Sequence, residues 1–128
     1  MASKRKQTKT SFLRSFMVAF QGIWTLIHNE RNFRFHLLAT LTVIIACFFF
    51  NVEKSEWLAV FLCIGLVLSV EALNTSIEYI CDLVYPERHP KVKMIKDVSA
   101  AAVLLAAIIA LITGCIIFIP YILTQFFH

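Results

Sequence analysis

The stretch Ser69-Val70-Glu71-Ala72-Leu73-Asn74-Thr75-Ser76-Ile77-Glu78-Tyr79-Ile80-Cys81-Asp82 continues an apolar run that opens at Trp57 and carries no charge before Glu71. Glu71, Asn74, Glu78 and Asp82 then follow at spacings that place them within roughly 80° of one another on a helix. Ile77, Tyr79 and Ile80 fall off that stripe. Placing carboxylates at the end of a membrane-spanning segment is costly. Acids that merely close a span account for Asp82 and, in part, Glu78. They account poorly for Glu71, whose upstream neighbours are apolar. A cation- or proton-handling site fits it better.

Composition sets the class. The chain has 128 residues, 59% of them hydrophobic, and a mean hydropathy of +0.78. That is too apolar for a soluble domain and too short for more than one, so an all-α integral membrane protein with a single domain, 1–128, is expected. The net charge is +4, concentrated near the N-terminus and between Arg88 and Lys96. No basic–aromatic repeat accompanies it, so headgroups or a phosphorylated ligand fit better than nucleic acid. Cys47, Cys63, Cys81 and Cys115 form no CxxC pair and no metal spacing, and read as small buried hydrophobes.

Outward from the central stretch, residues 1–10 read as a basic tail rather than a cleavable signal. Over 11–29, Phe12, Phe16, Phe20, Ile23, Trp24 and Ile27 recur at spacings of three and four, the pattern of an amphipathic helix lying in the membrane surface. Gly22 leaves room for a close approach to its backbone. A polar knot, Asn29 to Arg34, precedes a first span over 33–52, with Arg34 and His36 snorkelling at its start. A short turn leads into a second span over 57–85. Glu71 lies about 21 Å along it from Trp57, near the edge of the ~30 Å hydrocarbon core, and Glu78 about 10 Å further on. Residues 86–97 read as a proline-punctuated loop. A third span over 98–121 follows, with small residues from Ser99 to Ala102 at its start and Pro120 ending or kinking it. Trp24 and Trp57 read as interfacial anchors. Lys and Arg cluster before the first span and after the second, which places the N-terminus and the acid stripe at the cytoplasmic face of the cell membrane.

The chain has three glycines and no Gly-rich phosphate loop, nucleophile elbow or HExxH motif. Glu30, Arg31, Arg34, Glu71, Asn74, Glu78, Asp82, Arg88, His89, Lys96 and Asp97 gather at the cytoplasmic edge. Carboxylates with an amide are hard oxygen ligands suited to Mg²⁺, and the neighbouring cations can neutralise phosphates. From these residues, metal-assisted phosphoryl transfer to or from a lipid and a proton or ion pathway both remain open. A lipid phosphatase is disfavoured because His36 and His89 lack a partnered His or Asp motif.

At this point the sequence resembles the prokaryotic diacylglycerol kinase family. The resemblance is carried by Glu71-Ala72-Leu73-Asn74-Thr75-Ser76-Ile77-Glu78, Asp82, Pro86-Glu87-Arg88-His89-Pro90 and Lys96-Asp97-Val98-Ser99-Ala100-Ala101-Ala102-Val103. Upstream it includes Ala19-Phe20-Gln21-Gly22-Ile23 and Asn29-Glu30-Arg31-Asn32-Phe33-Arg34. The proline-bounded segment looks like the Gram-positive branch, whose members are undecaprenol kinases, some also accepting diacylglycerol. The resemblance implies a homotrimeric helix bundle, each chain with a surface helix and three transmembrane helices. It implies an ATP- and Mg²⁺-dependent transfer to a lipid alcohol. By position, Glu71 matches the general base and Asn74 lies in the same site. Glu30 and Glu78 match metal ligands, and Glu87, Arg88, His89, Lys96 and Asp97 match the nucleotide-contacting region. Val18 and Ala19 stand where some relatives have Tyr and Ser.

Overall fold

The computed structural model describes residues 11–127, so the basic tail at 1–10 lies outside the described residues. Four helices follow in order: α1 Phe12–Asn29, α2 Arg31–Phe50, α3 Lys54–Val84 and α4 Pro90–Phe126. The chain is an all-α integral membrane protein, and α2, α3 and α4 are long and apolar enough to cross a bilayer. α3 is the centre: it packs most extensively on α4 and less on α2, while α1 touches α2.

The surface helix follows the expected stripe. Phe12, Phe16, Phe20 and Trp24 are exposed, and α1 buries no residue against the rest of the chain. Its apolar face therefore has no partner among the described residues. Beyond its chain neighbours and the helix's own backbone, no atom of the described residues lies within 4 Å of where a Gly22 side chain would begin, so the close approach expected there is not made among them. Glu30 alone, with φ −108° and ψ 111°, separates α1 from α2. Arg34 does not snorkel. Its Nη1 reaches back to donate to the carbonyls of Ile27 at 3.2 Å and His28 at 2.8 Å. Those carbonyls have no partner within the last turn of α1, and a cation there also complements the helix dipole.

The α2–α3 turn is fixed by local chemistry. Asn51 is left-handed, with φ 51°, a conformation that Asn tolerates better than most residues. The Val52 amide then donates back to the Cys47 carbonyl at 3.2 Å. This 6→1 closure buries Val52 beside Cys47, Val60 and Ile117. A capping box between Glu53 and Glu56 starts α3 at Lys54, one turn ahead of Trp57. Glu56 also accepts from Tyr121 Oη at 2.7 Å, joining α3 to α4 at this end.

α4 corrects two expectations. It begins at Pro90 rather than Val98, so the segment read as a loop over 86–97 is mostly helix. The reason is local: His89 is the N-cap, its Nδ1 accepting from the Lys91 amide at 3.1 Å. Pro90, at the first helical position, loses nothing by lacking an N–H. At the other end the helix passes through Pro120 to Phe126 instead of stopping there. Among the cysteines, Cys47 and Cys81 are buried as expected, but Cys115 is exposed. It lines an apolar groove of about 540 Å³ whose floor is α3 and whose walls are α2 and α4. The groove exists because Ala39, Ala107, Ala110 and Gly114 leave the walls short of side chains.

Candidate active site

The polar stripe of α3 forms the spine of the site. Glu71 is 3% exposed and Asn74 5% exposed. Asn74 Nδ2 donates to Glu78 Oε1 at 3.2 Å, a bond between neighbouring turns that orients the Glu78 carboxylate. Asn74 Oδ1 is buried without a partner among the described residues, as is Ser99 Oγ at the start of α4's apolar region. Buried polar atoms are seldom left unpaired unless something else binds them.

Two groups arrive from outside α3. His36 of α2 approaches Glu71, with Nε2 4.0 Å from Oε2. The expected snorkelling of His36 is thus replaced by an inward turn toward the acid, because its position on α2 faces α3. Glu30, at the α1–α2 joint, accepts a hydrogen bond from Tyr79 Oη. Tyr79 is off the acid stripe yet tethers Glu30 beside it.

Beyond Glu78 the site widens into a cleft of about 650 Å³ between the end of α3 and the start of α4, lined by Asp82, Glu87, Arg88, His89, Lys96 and Asp97 among others. Lys96 Nζ donates to Asp82 Oδ1 at 2.5 Å, and Lys93 pairs with Asp97. Asp82, one turn beyond Glu78 on the same face of α3, lines this cleft, so the acid spine leads into it. The residues expected to meet a nucleotide are all here, although Glu87 and Arg88 are solvent-exposed and His89 Nδ1 is engaged as a helix cap.

Among the described residues no group of three or more His, Cys, Asp or Glu side chains is arranged to hold a metal ion. The donor set still fits Mg²⁺. That ion is typically held by one or two carboxylates together with substrate phosphates and water, and Glu30, Glu78 and Asn74 Oδ1, which has no partner among the described residues, are hard oxygen donors of that kind.

Sequence reasoning found the stripe, the cleft residues and Glu30. It missed His36 and Tyr79, because no spacing within one helix reports a partner on another. Ser99 appeared only as part of a small-residue face. His89's capping role was legible from the Pro that follows it.

The model of the prokaryotic diacylglycerol kinase family matches residues 17–118. The undecaprenol kinase of Bacillus subtilis is 43% identical over 109 residues, covering 85% of this chain and 89% of that protein. A diacylglycerol kinase of Synechocystis is 35% identical over 119 residues, covering 92% of this chain and 68% of that protein. The diacylglycerol kinase of Escherichia coli K12 is 31% identical over 108 residues, 84% and 88% of the two chains. With an acid seam on an apolar helix that leads to a cleft of mixed charge, and with similarity that spans nearly the whole bundle, the chain belongs to the prokaryotic diacylglycerol kinase family and is a lipid kinase.

Proposed function

We propose that the protein transfers the γ-phosphoryl group of Mg·ATP to the hydroxyl of undecaprenol at the cytoplasmic face of the cell membrane. The carrying observation is the continuity of the seam. Its buried acid, Glu71, pairs with a residue that lines an apolar groove, and Glu78 lies between that acid and a cleft holding Arg88 and Lys96. An apolar acceptor can thus approach the seam from the Glu71 end and a polyanionic donor from the Asp82 end. A proton pathway has no need of the cations Arg88, Lys93 and Lys96 gathered in that cleft. The preference for undecaprenol over diacylglycerol is supported by the similarity to the Bacillus subtilis undecaprenol kinase.

In this reading Glu71 accepts the proton of the acceptor hydroxyl as its oxygen attacks the γ-phosphorus and ADP departs. Its burial keeps bulk water from competing as the acceptor. Glu30 and Glu78 would hold Mg²⁺ together with the nucleotide, with Asn74 orienting Glu78 and Tyr79 orienting Glu30. Bound there, the ion would neutralise charge on the β- and γ-phosphates. Arg88 and Lys96 bind phosphate oxygens, which for Lys96 means exchanging Asp82 for the nucleotide.

The functional unit is a homotrimer with the N-terminus in the cytoplasm. Three helices of one chain leave large hydrophobic side chains exposed along every span, and they cover only part of the acid seam.

The test is a competition between undecaprenol and diacylglycerol for labelled ATP in mixed micelles, with and without EDTA. Label in undecaprenol phosphate that EDTA removes and Mg²⁺ restores is the expected result. A specificity constant favouring diacylglycerol would transfer the assignment to that lipid, and label in no lipid would refute it altogether.

A further inference from the structure

The gap between His36 and Glu71 has the dimensions of a binding site for one hydroxyl. At 4.0 Å the Nε2···Oε2 separation is too long for a direct hydrogen bond. An oxygen placed about 2.8 Å from both atoms subtends an angle of about 90°, within the range of an alcohol's donor and acceptor directions. The two sides of the gap differ. Glu71 is 3% exposed, whereas the His36 side chain is 17% exposed. His36 is also a lining residue of the apolar groove, together with Phe35, Ala39 and Thr40 from the same helix. In the proposed reading Glu78 and Glu30 belong to the nucleotide side. His36 is therefore the polar group that an alcohol arriving along the groove meets at Glu71.

We propose that His36 is a substrate-binding residue of the acceptor site, its Nε2–H donating to the alcohol oxygen while Glu71 accepts from the same hydroxyl. This rests on the lipid-kinase reading with Glu71 as base. In the transfer, the O–H bond breaks toward Glu71 Oε2 and an O–P bond forms at the γ-phosphorus. The bond to the ADP oxygen breaks, and ADP carries away the electron pair. His36 changes no protonation state in the step. It fixes the oxygen, so that one lone pair points across the seam toward the cleft. The chemistry recognised is a hydroxyl at the head of a hydrocarbon chain, which undecaprenol and diacylglycerol share. The experiment is run with each.

The decisive variants are H36Q, H36N and H36L in the full chain. Glutamine carries an N–H near the position of His Nε2, asparagine is too short to reach it, and leucine has no donor but suits the apolar surroundings. For either acceptor, kcat/KM should fall about 10–100-fold in H36L and H36N, the range for a buried polar contact left unmade. H36Q should stay within about fivefold of the native chain by keeping the donor. Titration with a non-hydrolysable ATP analogue should give the same Kd within about twofold in all three, because the contact is not on the nucleotide side and costs it no hydrogen bond. H36L that works as well as the native chain overturns the inference. So does H36Q as impaired as H36L, and so does nucleotide affinity that falls in step with turnover, which would mark a structural role. If the native chain phosphorylates lipid and E71Q does not, an unaffected H36L defeats this inference alone. If the native chain labels no lipid, the underlying reading fails first.

Discussion

Replacing Glu71 by glutamine removes one ionisable oxygen and changes almost nothing else. The amide has the same shape, so the packing around this 3% exposed side chain is kept. What is lost is the proton acceptor. General-base catalysis contributes about 10²–10⁴-fold, equivalent to about 2.7–5.4 kcal/mol of barrier at 1.36 kcal/mol per tenfold. The upper part of that range is expected here, because Glu71 is closed off from the water that could replace it as base. Nucleotide binding should respond differently. Glu78 is oriented by Asn74 and Glu30 by Tyr79, and neither hydrogen bond involves Glu71. Glu71→Gln should therefore abolish transfer to lipid while Mg·ATP binding, measured by titration calorimetry with a non-hydrolysable analogue, stays within about twofold of native. By contrast Glu78→Gln and Glu30→Gln should weaken that binding, with partial recovery at high Mg²⁺. If Glu71→Gln loses nucleotide affinity as severely as Glu78→Gln, Glu71 is a metal ligand. The base would then have to be sought among the cleft carboxylates, Asp97 first.

Tyr79→Phe removes the tether on Glu30 and keeps the ring; the KM for Mg²⁺ should rise about 3–10-fold, the worth of an ordinary hydrogen bond at an exposed site, with kcat for saturating Mg·ATP little changed. Asp82→Asn frees Lys96 from an exposed pair, so thermal unfolding should shift by less than about 1 kcal/mol equivalent, while Mg·ATP binding is kept or tightened and Lys96→Gln weakens it. Tyr121→Phe loses the bond to Glu56 at the opposite end of the bundle; the melting temperature in detergent should fall with no change in the KM for ATP. Crosslinking in mild detergent should yield trimers, and full activity from a monomeric sample would contradict the shared assembly.

The sequence by itself determined the helices and the stripe. Hydropathy over twenty residues and a 3.6-residue period are local properties, so three spans, one surface helix and the common face of Glu71, Asn74, Glu78 and Asp82 could all be read along the chain. The start of α4 was also written locally, in His89 before Pro90, although the two prolines suggested a loop. Only the tertiary structure decided which residues meet across helices. Arg34 turned from the interface to the end of α1, His36 turned to Glu71, Tyr79 found Glu30 and Lys96 found Asp82. Each of these pairs depends on the azimuth and depth at which one helix packs on another. Those are set by many weak apolar contacts summed over the whole bundle, such as the Cys47, Val60 and Ile117 knot. The residue types at the contact carry no such information. A carboxylate states that it needs a partner, and the packing of the bundle chooses which one it gets.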